Sequence, residues 1–112
     1  MSIFLRIDFG DDGSLRVGPG KVALLEAILK HGSIAAAARD LGMGYKTAWL
    51  LIDSLNTMFV EPVVVTLPGR RDGATDVTDF GKKLIASFRN MEALSRDAIK
   101  GEVAALRRKL KK

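Results

Sequence analysis

The stretch GSIAAAARDLGMGYKTAW, Gly32 to Trp49, decides how the rest of the chain is read. Four consecutive alanines bury little, and Gly42 and Gly44 interrupt any single helix through them. Tyr45, Lys46, Thr47 and the only tryptophan, Trp49, then follow within five positions. Ser33 is a residue type that caps a helix start, and a glycine-containing turn of three residues separates the alanine helix from the next one. Two helices so joined form a helix-turn-helix, whose close crossing demands small contact residues. Ala38 falls at that approach, and Gly42 opens the turn in a conformation costly for a residue with a side chain. Ala37, Leu41, Met43, Ala48 and Leu51 form the expected internal set. Gly44, Tyr45, Lys46, Thr47, Trp49, Leu50 and Asp53 then point outward, where a second helix of this kind meets a major groove.

Working outward, Ile3, Leu5, Ile7 and Phe9 alternate with Phe4, Arg6 and Asp8, the period of a half-buried strand. GDDGS is a turn by composition, and Leu15 and Val17 continue into a partner strand. KVALLEAILKHG places Val22, Leu25, Ile28 and Leu29 on one helical stripe, with Gly32 as a left-handed cap. Beyond the quoted stretch the second helix runs to Asn56 or Met58, and Pro62 ends helical structure. VVVTL, PGRRDG and ATDVT read as strand, loop tip and returning strand, a wing beside the helix-turn-helix. Thr78 caps a long helix with Phe80, Leu84, Phe88, Met91 and Leu94 in register. Ile99, Val103, Leu106 and Leu110 resume that stripe out of step across Gly101, where a bend or stop is expected. The expected fold is mainly α (α+β): a single winged helix-turn-helix domain over residues 1–112, with an N-terminal β-hairpin and a long C-terminal dimerisation helix. The helix-turn-helix covers about 33–56, the wing about 63–78, the dimerisation helix about 79–100 and a basic tail 107–112.

Composition narrows the function classes. At 47% hydrophobic residues the chain can bury a modest core, which argues against intrinsic disorder. Without cysteine, disulfides and thiolate metal sites are excluded. No apolar run reaches the roughly 20 residues of a membrane span, and the charged start does not read as a signal peptide, so the expectation is cytoplasmic and nucleoid-associated. Net charge is +5, yet Arg107, Arg108, Lys109, Lys111 and Lys112 account for all of it. The body is neutral and the tail basic, so the case for an acidic partner rests on local pattern. No carboxylate pair, Ser/His/Asp set or phosphate-binding glycine loop is present, so an enzyme is not expected, nor is a cofactor. His31 stands alone at a helix end, which speaks against a metal site.

GSIAAAARDLGMGYKTAW followed by VTDFGKKLI resembles the N-terminal DNA-binding domain of ModE-type, molybdate-responsive regulators, and more distantly the LysR-type regulators. The YKTAW segment and the pair Thr78 and Gly81 carry the likeness, which covers roughly Ile3 to Met91. The resemblance implies a homodimer that binds double-stranded DNA in a bacterial cytoplasm, with Tyr45, Lys46, Thr47 and Trp49 at the start of the recognition helix. Gly44 departs from the family, where a hydroxyl residue is usual, and Leu50 stands where the family tends to be polar. The wing is shorter and arginine-tipped. The family's regulators continue into molybdate-binding domains, for which this sequence has no room, so no small-molecule effector is expected to act on it.

The DNA-binding set is therefore Ser33, Gly44, Tyr45, Lys46, Thr47, Trp49, Arg70 and Arg71. Lys46 reads as a phosphate or base contact, against a solvated surface lysine. Trp49 either presses on a base or sugar or folds back onto the wing, and Tyr45 either reaches a phosphate or packs beside the turn. Arg70 and Arg71 suit the phosphate backbone, unless Asp72 and Asp76 neutralise them. Phe80, Leu84, Phe88 and Met91 form the expected dimer interface. The alternative function is a winged-helix protein–protein interaction module, for which exposed Trp49 and Leu50 and the neutral body speak.

Overall fold

In the computed structural model, residues 2–67 and 74–111 are described; Arg70 and Arg71, like the rest of 68–73, lie outside them. The chain is mainly helical, with two small antiparallel strand pairs, an arrangement compatible with a winged helix-turn-helix. β1 (Ile7–Asp8) pairs with β2 (Arg16–Val17), followed by α1 (Pro19–His31), α2 (Ile34–Leu41) and α3 (Tyr45–Met58). β3 (Val64–Thr66) and β4 (Thr75–Val77) form a ribbon, and α4 (Asp79–Arg107) completes the chain. No helix among the described residues is long and apolar enough to cross a membrane.

Local chemistry explains where the helices start and stop. Pro19 opens α1, where a missing N–H costs nothing, and Lys30 and His31 in its last turn suit the helix dipole. Gly32, at φ 77°, ends α1 by donating its N–H to the Ile28 carbonyl at 2.7 Å. The Ser33 hydroxyl at once accepts from the Ala36 N–H at 3.1 Å and starts α2. Gly42, at φ 68°, closes α2, and the Met43 N–H reaches back to the Ala38 carbonyl at 3.0 Å. Two positive-φ glycines thus set two chain reversals about ten residues apart.

α1 is the central helix: Val22, Leu24, Leu25 and Ile28 are fully buried, with α2, α3, α4 and β4 packed around it. Ala37 and Ala38 let α2 come close, and Ala48, Ile52 and Leu55 supply the inner face of α3. Leu24 takes a core place where Leu29 was expected. Leu29 is 50% exposed, because it sits in the last turn, at the edge of the elements that cover α1. Leu41 is likewise exposed at the end of α2, whereas Met43 and Leu51 of the expected internal set pack at the core's margin. The N-terminal hairpin is shorter than its alternation implies, pairing two residues per strand.

α4 joins the core through one close approach and one clamp. The Thr78 hydroxyl accepts from the Gly81 N–H at 3.0 Å and donates to the Pro62 carbonyl at 2.7 Å. A Cβ on Gly81 would overlap the Val63 carbonyl oxygen, so only glycine lets the helix start there. Farther along, Arg89 donates to both carboxylate oxygens of Glu26 on α1, and to Glu92 at 2.7 Å. Those two acids raise the Arg89 pKa above its ordinary value, Glu26 contributing most. Phe88 is fully buried in this single chain, which removes it from the expected dimer interface. Its side chain faces the chain's own core, and Phe80, Leu84 and Met91 also pack against that core while staying partly exposed.

α4 does not stop at Gly101. It runs unbroken for 29 residues to Arg107, and the molecule extends 58 Å along its longest axis. Leu94 (61% exposed), Ile99 and Leu106 carry the stripe onward, exposed in this chain, and Leu110 is exposed beyond the end of the helix.

Candidate nucleic-acid interface

The surface around α3 is built from the turn outward. Gly44, extended at its N-cap, offers no side chain to the helix start. The inward positions Ala48, Ile52 and Leu55 are buried, so helical spacing turns Lys46 and Leu50 outward, with exposed Trp49 and Asp53 toward the flank that faces the ribbon. Gly44, Tyr45 and Thr47 are exposed beside them. Lys46 and Asp53 make no ion pair or side-chain hydrogen bond among the described residues.

Asn56 fixes the ribbon against this helix. Its side-chain oxygen accepts from the Val63 N–H at 2.7 Å and the Val64 N–H at 3.3 Å, and its amide donates to the Val64 carbonyl at 3.1 Å. An asparagine on the last turns of α3 thereby extends the edge of β3 as a strand would. Between the two elements lies a notch of about 190 Å³, lined by Ile34, Trp49, Ile52, Asp53, Asn56, Val64 and Thr66. Trp49 divides its surface: part lines the notch, and 47% of it stays exposed. Part of the ring therefore lies against the ribbon and part is left open.

The ribbon is also tied to the start of α2. Ser33 bridges Ala74, and the Thr75 N–H donates to the Gly32 carbonyl at 2.9 Å. The Ser33 hydroxyl oxygen is engaged with Ala36, at the side of the assembly where the ribbon meets the helix pair. The Leu67 N–H donates to the Ala74 carbonyl at 3.0 Å, closing the ladder just before the segment that contains Arg70 and Arg71. Asp76, the acid expected to neutralise those arginines, is exposed in the middle of β4.

Several organising polar contacts escaped the sequence reading. Arg16 and Arg6 both bind the Asp8 carboxylate, at 2.9 and 3.1 Å, and bonding to Arg16 first of all holds that carboxyl below its ordinary pKa. Lys21 donates to the Arg16 carbonyl at 2.6 Å and to Ser54 at 3.1 Å, and burial lowers its pKa. His31 lies 3.1 Å from Asp40, linking the ends of α1 and α2. Phe9, Phe59 and Phe80 stack edge to face at 6.4 and 5.2 Å between ring centres, joining the hairpin, α3's end and α4. Among the described residues no group of three metal-ligating side chains comes together.

A short helix, a three-residue turn, a second helix with an exposed face and a ribbon alongside make an arrangement compatible with an α+β winged-helix-like fold. No family model matches the chain. The molybdenum-pterin-binding protein MopA of Rhodobacter capsulatus is 48% identical over 81 residues, covering 71% of this chain and 31% of MopA. The molybdenum transport protein ModE of Azotobacter vinelandii is 38% identical over 88 residues, 78% of this chain and 33% of that protein. The DNA-binding transcriptional dual regulator ModE of Escherichia coli K12 is 34% identical over 71 residues, 62% and 27% respectively. The chain is a homologue of the ModE and Mop proteins, matched to their N-terminal part. It spans about a third of the length of these relatives. Their names describe molybdenum-pterin binding, molybdenum transport and transcriptional regulation, with no catalytic family among them.

Proposed function

We infer that the chain is a sequence-specific double-stranded-DNA-binding module of a transcription regulator, acting in the cytoplasm as a homodimer. The observation that carries this reading is the exposed face of α3, held in place by the alanine joint and by Asn56, in a homologue of a DNA-binding regulator. α3 enters the major groove from its N-terminal turns, where Tyr45, Lys46 and Thr47 reach base edges or phosphates. Ser33 and Gly44 lie at the starts of α2 and α3, where backbone N–H groups favour a phosphate. Arg70 and Arg71 belong to the segment joining β3 to β4 and grip the backbone. Pairing of two chains uses the uncovered stripe of α4, Leu94, Ile99 and Leu106, with the exposed edges of Phe80, Leu84 and Met91. What the relatives' names say of molybdenum belongs to those whole proteins.

One observation favours a second reading, a protein-interaction module: Trp49 and Leu50 put apolar area at the centre of the reading face. Fluorescence anisotropy with fragments from the source genome and random duplexes, at two salt concentrations, separates the two. The DNA reading expects one fragment class bound at least tenfold tighter than random DNA, with affinity falling steeply as salt rises. Equal, salt-insensitive weak binding to all duplexes would favour the protein partner.

A further inference from the structure

Lys46, Trp49, Leu50 and Asp53 occupy positions i, i+3, i+4 and i+7 of α3 and form one line on its exposed face. The line begins with a cation, ends with an anion and is apolar between. Neither charge is matched by an ion-pair partner among the described residues. Lys46 lies in the first turn, where the helix dipole disfavours a cation, and no acidic residue stands there to offset it. Asp53 has no ion-pair partner among the described residues, although Arg and Lys outnumber the acids in the chain. It lines the notch with Trp49 and Thr66, on the side of α3 that faces the ribbon.

A carboxylate with no partner among the described residues, on such a face, restricts what can approach it. A phosphate is repelled, as are the acceptor atoms of guanine and the O4 of thymine. On the major-groove edge only the exocyclic amines of cytosine and adenine donate hydrogen bonds. Adenine's amine is flanked by two acceptors, its own N7 and the paired thymine O4, whereas cytosine's amine has the guanine O6 on one side and only a C–H on the other, so it meets a carboxylate with less repulsion. We propose that Asp53 is a specificity-determining residue whose carboxylate accepts a hydrogen bond from the N4 amine of a cytosine. Seven residues of α-helix separate it from Lys46 by roughly 10 Å, so that cytosine lies about three base pairs from the position nearest Lys46. The inference rests on the DNA-binding reading above and adds to it the base that one named side chain demands.

The test is selection of bound sites from a pool of random 30-base-pair duplexes with the wild type, Asp53→Asn and Asp53→Ala, followed by anisotropy on the winning sites. The wild type is expected to fix a cytosine at one position of each half-site. Asp53→Asn should replace it with adenine, because an amide both donates and accepts and so matches the N6 and N7 of adenine. Asp53→Ala should leave that position unspecified, and both variants should bind the wild-type site about tenfold more weakly relative to random DNA. Random-DNA affinity should rise in both variants, since a like charge is removed from the phosphate-facing surface. If both variants select the wild-type sequence unchanged, the assignment of Asp53 is wrong while the DNA reading stands. If the wild type enriches no sequence at all, the DNA reading falls and this inference with it.

Discussion

The helix-turn-helix and α4 are both helical segments with apolar periodicity, yet their sequences are informative in different ways. Between Gly32 and Gly42 each boundary is a local event: a positive-φ glycine, a hydroxyl cap, a second positive-φ glycine. In α4 the period is equally clear, but periodicity does not say which surface covers a stripe. The first half buries Phe88 in the chain's own core and clamps Arg89 to Glu26. The second half, in the same helix, leaves Leu94 and Leu106 uncovered. A periodic apolar face is evidence of a partner without naming the partner.

The sharpest way to break this comparison is to truncate one residue in each half. Phe88→Ala removes a fully buried ring, and urea unfolding should show a loss of roughly 3–5 kcal/mol. Leu94→Glu with Leu106→Glu should leave secondary structure intact while abolishing self-association, read by sedimentation at micromolar concentration. If Phe88→Ala costs little and the double glutamate variant unfolds the chain, the two halves have been assigned the wrong way round.

A smaller effect tests the local logic of the helix-turn-helix. Gly42→Ala places a Cβ in open space but keeps φ at 68°, so the cost is conformational, about 1–2 kcal/mol. Gly101→Ala is the control within α4, where the helix is regular and alanine should stabilise by up to about 1 kcal/mol. Thermal denaturation of the two variants should therefore shift in opposite directions.

These contrasts show how much the sequence could reveal. The caps at Gly32, Ser33, Gly42 and Thr78, both strand pairs and the exposed set on α3 were legible, because each depends on a few adjacent residues. The continuation of α4 through Gly101 was not. One glycine costs about 1 kcal/mol, which flanking helix formers such as Ala98, Lys100, Glu102, Ala104 and Ala105 outweigh. The Glu26–Arg89 clamp joins residues 63 positions apart, and no local pattern marks such a pair. Asn56 was legible as a helix-end residue, but its service to the edge of β3 requires the ribbon to be in place. Leu29 and Leu41 failed as core positions for a related reason: both lie at helix ends, where periodicity continues beyond the elements that cover it.

The winged-helix mode requires the ribbon to hold DNA while α3 reads it, and a salt series of anisotropy measurements tests this directly. If each subunit makes about four cationic phosphate contacts, a dimer should give a log–log salt slope of order −7. Arg70→Ala with Arg71→Ala should flatten the slope and weaken specific and random duplexes almost equally, because phosphate contacts carry no sequence information. Lys46→Ala should instead weaken the specific site more than random DNA, by roughly 1–3 kcal/mol. A double arginine variant that binds with unchanged slope would contradict the winged-helix mode and put the protein-interaction reading in its place.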